Sequence, residues 1–173
     1  MLKKLLLPFL ALACFYSESL FVTLFPGESL FSGRILIPHF LAVFLLFVCA
    51  YYNYRIALLY GFIFGFLFDI YYTEINGIYL VLFPFIIFLA DKMLKVLHNN
   101  LFVFCLIVLV NLTVLEFLVY QINLIIQKTE LTIMQFADWR LWPTLAFNVA
   151  FYILFSFPLR NLLIRQRKEI FDE

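Results

Sequence analysis

Six long apolar stretches separated by short polar breaks make up most of this chain. None of them alternates apolar and polar positions as the strands of a membrane barrel do. Since an open strand edge leaves backbone groups unsatisfied in lipid, all six stretches are predicted to be helices. They cover residues 5–24, 35–52, 56–72, 78–97, 101–126 and 141–163.

Polar and turn-forming residues occupy the five breaks, as expected where a chain leaves one helix and enters the next. The third break is the shortest, and Gly77 is predicted to permit a tight turn there because glycine adopts backbone angles closed to other residues. The breaks are Pro26 to Ser29, Asn53 to Arg55, Thr73 to Gly77, His98 to Asn100, and Gln127 to Arg140.

The composition places these helices in a membrane. Of 173 residues, 66% are hydrophobic and 13% charged, whereas a soluble domain has about 45–50% apolar and about 25% charged residues. A mean hydropathy of +1.04 and 24 phenylalanines are too much apolar surface for a core of this size to bury. Six spans of about 20 residues each leave too few residues for a second folded domain. We therefore expect residues 1–173 to form a single all-α bundle of six transmembrane helices.

The distribution of lysine and arginine predicts the orientation, because cytoplasmic loops carry the excess of positive charge. With both termini cytoplasmic, three of the twelve cations lie outside, namely Arg34, Lys128 and Arg140. The other nine lie inside: Lys3, Lys4, Arg55, Lys92, Lys95, Arg160, Arg165, Arg167 and Lys168.

Three acids, Glu18, Asp69 and Glu116, lie well inside apolar stretches. A charge at the centre of a span costs about 2.5–3.5 kcal/mol on insertion scales, so each acid needs a reason to be there. At a rise of 1.5 Å per residue, all three lie about 20 Å from the cytoplasmic ends of their spans. They are therefore expected at one depth, in the outer third of the membrane.

Three basic residues are expected to complete this polar layer: His39 enters from the outside on span 2, and Arg34 and Arg140 lie at the outer boundary. One interpretation is a ligand pocket or a docking site for a partner. A second is that the groups satisfy one another and lock the bundle. A third is a proton or ion pathway, although the inner halves of spans 1, 3 and 5 supply few polar groups to continue it.

Span 3 carries a stripe of small residues. Gly61, Gly65 and Asp69 are spaced i, i+4, i+8 and lie on one helix face, where glycines allow another backbone to come close. The partner is either another helix of the same bundle or a separate protein. Gly77 follows eight residues after the acid.

The cytoplasmic side is predicted to present a basic face that touches anionic lipid or a cytoplasmic partner. No phosphate-binding loop, nucleophile–histidine–acid arrangement or paired-carboxylate site is visible, and the histidines and cysteines lack metal-ligand spacing. We expect no enzyme activity, cofactor, metal or nucleic-acid binding. The basic face comprises Arg55, Lys92, Lys95, Arg165, Arg167 and Lys168.

Several short motifs, in order across the six spans, resemble the MreD family of the bacterial rod-shape system, of a Bacillus-like type. The resemblance covers nearly the whole chain. It is carried by Pro8-Phe9, Ser17-Glu18-Ser19, Tyr60 to Asp69 with Gly77, Lys95 to His98, Leu115-Glu116-Phe117 and Pro143 to Asn148.

The resemblance implies a non-enzymatic scaffold in the cell membrane that acts in lateral peptidoglycan synthesis. It implies MreC, with its single membrane helix, as the direct partner, and MreB, RodA and a class B penicillin-binding protein as members of the same elongasome. It also implies a fold similar to the substrate-binding (S) components of energy-coupling-factor transporters. His39 departs from the family pattern, which has arginine there; a neutral histidine would weaken a fixed ion pair.

The alternative function is that of a vitamin-type S component, with the outer polar layer as its ligand pocket. Such components present an A-x-x-x-A motif on span 1 to a coupling protein. The matching positions here are Ala11 and Phe15, so the motif is missing. The scaffold is therefore the favoured hypothesis.

Overall fold

Helices follow the six apolar stretches closely in the computed structural model, which describes residues 2–24, 34–73, 77–97 and 100–171. The all-helical prediction is confirmed. The break predicted at Pro26 to Ser29 lies outside the described residues, as do parts of those at Thr73 to Gly77 and His98 to Asn100. The helices are α1 (Leu2–Leu24), α2 (Phe40–Tyr51), α3 (Tyr54–Tyr72), α4 (Ile78–Val96), α5 (Leu101–Ile125), α6 (Ile133–Phe136) and α7 (Trp142–Phe171).

Side chains in the breaks cap the helices that follow them. Asn53 accepts hydrogen bonds from the backbone N–H groups of Arg55 and Ile56 and starts α3, and Asn100 accepts one from Val103 and starts α5. These caps satisfy amides that have no partner within the helix. These two break residues therefore determine where α3 and α5 begin.

The prediction of a helix throughout residues 35–52 is wrong for its first part. Residues 34–39 have no regular secondary structure and are called the non-helical segment below, and α2 begins at Phe40. The physical reason is Pro38, whose ring disfavours the helical conformation for the preceding Ile37. The twelve residues of α2 rise about 18 Å. This helix is shorter than the roughly 20 residues that a helical span of the hydrocarbon layer needs.

The break predicted between Gln127 and Arg140 is also more ordered than expected. It contains α6, which begins with a capping box between Thr132 and Gln135, and a π-helical turn at Ala137–Leu141 that leads directly into α7. The last helix continues to Phe171, eight residues beyond the predicted end at 163.

The short helix α2 forms the centre of the bundle. Every side chain from Leu41 to Val48 is fully buried, and α2 packs against α1, α3, α4, α5 and α7. The surrounding helices expose large apolar side chains such as Phe9, Phe62 and Phe102. This arrangement is expected where the outer solvent is lipid.

Among the described residues, four helical segments are long and apolar enough to cross a membrane: Leu5–Leu24, Tyr54–Tyr72, Leu101–Ile125 and Ile133–Glu169. Helix α4 has 19 residues but carries Asp91, Lys92 and Lys95 in its last turns. The chain is thus a membrane protein with several apolar helices, and the number of six crossings stays a prediction.

Candidate functional site: the buried polar layer

The predicted polar layer lies at one end of the bundle. Side chains from the C-terminal halves of α1, α3 and α5 meet the N-terminal ends of α2, α4 and α7 there. Glu18, His39, Asp69 and Glu116 are all buried. Their common depth in the membrane stays a prediction, and the contacts below show what each acid does.

Glu18 caps the central helix. Its Oε1 accepts a hydrogen bond of 2.8 Å from the backbone N–H of Leu41 in the first turn of α2. This turn lies inside the bundle, where water cannot satisfy the amides. The carboxyl group also lies at the N-terminal, positive end of the α2 dipole.

Asp69 holds the connection from α3 to α4. Its Oδ1 accepts a hydrogen bond from the backbone N–H of Tyr79 at 2.9 Å, and its Oδ2 accepts from Gly77 at 3.0 Å and Leu80 at 2.8 Å. Gly77 has a φ of +110°, as predicted for a turn that requires glycine. One buried side chain thus fixes both the turn and the start of α4.

Glu116 is the acid that contacts basic side chains. Its Oε1 lies 2.5 Å from His39 Nε2, and its Oε2 accepts a hydrogen bond of 2.7 Å from Arg140 Nε. The carboxylate is fully buried, and the Arg140 side chain is 20% exposed. One carboxylate therefore joins the non-helical segment (residues 34–39), α5 and the π-helical turn.

Asn148 and Thr144 also belong to the site, although the sequence analysis did not single them out as polar-layer residues. Asn148 Oδ1 accepts from His39 N–H at 2.9 Å, and Asn148 Nδ2 donates to the Ile37 carbonyl at 2.9 Å. Thr144 Oγ1 accepts from Ile37 N–H at 3.3 Å.

These side chains form hydrogen bonds with the backbone of the non-helical segment, where helical hydrogen bonds are missing. Non-helical backbone is tolerated at membrane depth only where protein satisfies it. The sequence signal that could have identified Thr144 and Asn148 is their i, i+4 spacing inside the apolar span 6, together with a proline in span 2.

The glycine stripe packs within the bundle. A Cβ added at Gly65 would lie 2.5 Å from the Tyr79 carbonyl oxygen and 2.9 Å from Leu80 Cα, and one at Gly61 would lie 2.7 Å from Ile87 Cδ1. Both glycines thus face α4. Of the two interpretations of this stripe, the contacts are those of internal packing.

The remaining predicted residues lie away from the layer's buried contacts. Arg34 is exposed at the start of the non-helical segment. On the basic face, Lys95 binds Asp91 at 2.5 Å and Arg165 binds Glu169 at 3.1 Å, both as i, i+4 pairs. The other predicted members of this face, Arg55, Lys92, Arg167 and Lys168, are exposed.

A cavity of about 410 Å³ opens beside the layer, where the α3–α4 connection meets the end of α5 and the loop that follows it. Its wall includes Tyr72, Tyr79, Asn123, Lys128 and Arg140. Arg140 therefore has one side on the Glu116 carboxylate and another on the cavity. Within the described ranges, no cluster of histidine, cysteine and acidic side chains could hold a metal ion.

The polar side chains of the layer hold neighbouring helices together. The carboxyl groups of Glu18 and Asp69 accept hydrogen bonds from backbone N–H groups at the starts of two helices, and Glu116 joins the His39 imidazole to the Arg140 guanidinium. These contacts fit the interpretation in which the polar groups satisfy one another. The cavity beside Arg140 is the part of the site that offers room for a ligand.

Comparisons with known proteins agree with the resemblance seen in the sequence. Residues 3–166 match the family model of rod shape-determining protein MreD. The chain is 38% identical over 172 residues to the rod shape-determining protein MreD of Bacillus subtilis (strain 168), with 99% of this chain and 100% of the relative covered. No solved structure matched the chain.

Proposed function

Because this chain belongs to the MreD family of rod shape-determining proteins, we propose that it is a membrane scaffold that binds MreC and helps to organise lateral peptidoglycan synthesis. The family assigns a structural role in cell shape, and not an enzymatic one. The observation that carries the proposal is the match over nearly the whole chain. MreB, RodA and a class B penicillin-binding protein are proposed members of the same assembly.

The proposed topology has six crossings with both termini in the cytoplasm. The antiparallel contacts support it, since the ends of α1, α3 and α5 meet the starts of α2, α4 and α7. The second crossing combines residues 34–39 with α2. The predominance of lysine and arginine on one side supports the orientation.

The proposed MreC contact lies on the outer surface of the bundle, because Gly61 and Gly65 already face α4. The lipid-facing sides of α1, α3, α5 and α7 are available to the membrane helix of MreC. Each exposes large apolar residues, represented by Phe9 on α1, Phe62 on α3, Phe102 on α5 and Leu154 on α7.

The first test is affinity purification of the tagged full chain from its native membrane in mild detergent, followed by mass spectrometry. We expect MreC to be recovered, with or without RodA and the class B penicillin-binding protein. Recovery of a coupling membrane protein with its ATPases, and no MreC, would instead support the S-component alternative and its expected fold similarity.

The second test locates the contact. A photo-crosslinking amino acid is placed singly at Phe9, Phe62, Phe102 and Leu154, with the buried Leu112 as the matched control. Crosslinks to MreC should concentrate on one or two helices and be absent at position 112. Crosslinks of equal intensity at all four exposed positions would contradict a defined binding face.

A further inference from the structure

We propose that the cavity beside Arg140 binds an uncharged, hydroxyl-rich group, namely a sugar, carried as the headgroup of a glycolipid or free in solution. The cavity volume of about 410 Å³ falls within the range of about 300–1,000 Å³ typical of ligand sites. The cavity lies at the end of the bundle that holds the polar layer, beside the α3–α4 connection. This inference concerns a ligand of the bundle itself and does not depend on MreC.

The hydroxyl of Tyr79 is the observation that carries the proposal. Tyr79 is 6% exposed and belongs to the cavity wall, and its ring is held between Phe68 and Phe83, with ring centroids 4.4 and 5.2 Å away. Its backbone N–H binds Asp69, but its hydroxyl has no hydrogen-bond partner among the residues that the structure describes. The hydroxyl oxygen is not one of the unpartnered atoms that the protein encloses completely. Since a buried hydroxyl without a partner is costly, its partner has to come from the cavity.

Other wall residues add hydrogen-bonding groups of both kinds. Arg140 gives its Nε–H to Glu116, and a guanidinium has four further N–H donors. Asn123 donates through Nδ2 to the Val119 carbonyl, which leaves its Oδ1 as an acceptor. A sugar hydroxyl both donates and accepts, so it can bind Asn123 Oδ1 and the donors of Arg140 and Tyr79 alike.

The charges of the described part of the wall are already compensated. Arg140 is paired with Glu116 at 2.7 Å, and Lys128 has an interaction partner of its own. The wall residues that the structure describes include no carboxylate. The wall therefore favours neither an anion nor a cation, and hydrogen bonding is the basis on which a ligand is selected.

The apolar part of the wall matches the carbon face of a sugar ring. Ile78 and Val119 are aliphatic, and Tyr72 presents an aromatic side chain that is 37% exposed. A sugar carries C–H groups on the faces of its ring and hydroxyls at its edge, so it contacts apolar and polar surfaces together, as ligands of such pockets do. A hydrocarbon chain would leave the Tyr79 hydroxyl unsatisfied, and therefore fits the cavity less well.

The test compares the lipids retained by the full chain in phosphatidylcholine nanodiscs that contain equal amounts of glucosyl diacylglycerol and phosphatidylglycerol, measured by native mass spectrometry. Tyr79→Phe removes the hydroxyl and keeps the ring, and Asn123→Leu removes the amide acceptor at nearly the same volume. Tyr152→Phe is the matched control, since it removes the hydroxyl of another buried tyrosine, which donates to the Leu101 carbonyl at the start of α5. Gel filtration and circular dichroism identify any variant that fails to fold.

We expect the wild-type chain to retain glucosyl diacylglycerol preferentially. Tyr79→Phe should lower this preference about fivefold, the loss expected for one hydrogen bond, and should not destabilise the chain, because it breaks no hydrogen bond that the structure describes. Asn123→Leu should lower the preference as well, and Tyr152→Phe should not. The proposal is overturned if the folded Tyr79→Phe variant retains the full preference, if Tyr152→Phe lowers it equally, or if the wild-type chain prefers phosphatidylglycerol.

A second arm separates the two sources of the sugar. Glucose is titrated into the full chain solubilised in a detergent that has no sugar headgroup, with binding measured by saturation-transfer NMR. Glucose binding that Tyr79→Phe and Asn123→Leu weaken, without a lipid preference in nanodiscs, identifies a free sugar as the ligand. The absence of both the glycolipid preference and glucose binding would refute the site, while leaving the MreC proposal intact.

Discussion

The Glu18 carboxylate on α1 accepts a hydrogen bond from the Leu41 backbone N–H at 2.8 Å, so one helix supplies the cap for another. The capped helix α2 is the most buried element of the bundle. An acid at this depth is stable because it satisfies amides that lipid cannot. The same principle explains Asp69 at α4, and it leads to predictions that distinguish a structural acid from a ligand-binding one.

Replacing Gly65 by alanine should destabilise the bundle, because the new Cβ would meet the backbone of α4 at Tyr79 and Leu80. Overpacking of this kind costs about 1–3 kcal/mol. Gly61→Ala should cost less, since its Cβ meets the movable end of the Ile87 side chain. Unfolding in detergent with increasing denaturant gives both values. The exposed Ile63→Ala on the same helix serves as the control, and equal effects at positions 61 and 65 would contradict this geometry.

Asp69→Ala should destabilise the α3–α4 connection by about 2 kcal/mol or more, because three backbone N–H groups lose their acceptor. Asp69→Asn keeps one acceptor oxygen and should have a smaller effect. Hydrogen exchange at the start of α4 is the measurement. Asp91→Asn, which breaks the pair with Lys95 near the other end of α4, should leave that exchange rate unchanged; if it does not, the effect is not local to the cap.

Glu116 and Arg140 should be energetically coupled. Glu116→Gln leaves Arg140 without its carboxylate, and breaking a buried pair in this way costs about 3–5 kcal/mol. The double variant Glu116→Gln/Arg140→Gln should cost less than the sum of the two single variants, and a double-mutant cycle on unfolding free energies measures the difference. Additive effects would indicate that the two side chains act independently.

Asn148→Leu should destabilise the non-helical segment by at least about 1 kcal/mol, because the Ile37 carbonyl and the His39 N–H lose their hydrogen-bond partners. Thr144→Val should act in the same direction through Ile37 N–H. Limited proteolysis of the segment and denaturant unfolding report the loss. Asn161→Leu is the matched control, since Asn161 is exposed on the same helix; a control effect as large as that of Asn148→Leu would remove the special role of the layer.

The proposed orientation predicts which cysteines can be labelled from outside the cell. In a background with Cys14, Cys49 and Cys105 replaced by alanine, Lys128→Cys should react with a membrane-impermeant maleimide in intact cells stripped of wall. Lys168→Cys should react only after permeabilisation. The reverse pattern would invert the topology, and labelling of both sites in intact cells would contradict a six-span arrangement with Lys128 outside.

The sequence by itself determined the solvent, the helices and their approximate ends, because a span must be apolar and long enough for the hydrocarbon, and because Asn53, Gly77 and Asn100 act locally. It also predicted that the three acids share one depth, since a helix has a fixed rise per residue. The family was recognisable from short motifs in order, and the comparisons confirmed it.

Only the tertiary structure decided the partners within the layer. The sequence left open whether Glu18, Asp69 or Glu116 binds a cation; the fold assigns two of them to backbone amides and one to His39 and Arg140. The sequence analysis did not predict the non-helical segment before α2, because its hydrogen bonds involve Thr144 and Asn148, more than a hundred residues away. A periodic pattern reports local hydrogen bonding, whereas satisfaction of backbone by distant side chains depends on how the helices pack.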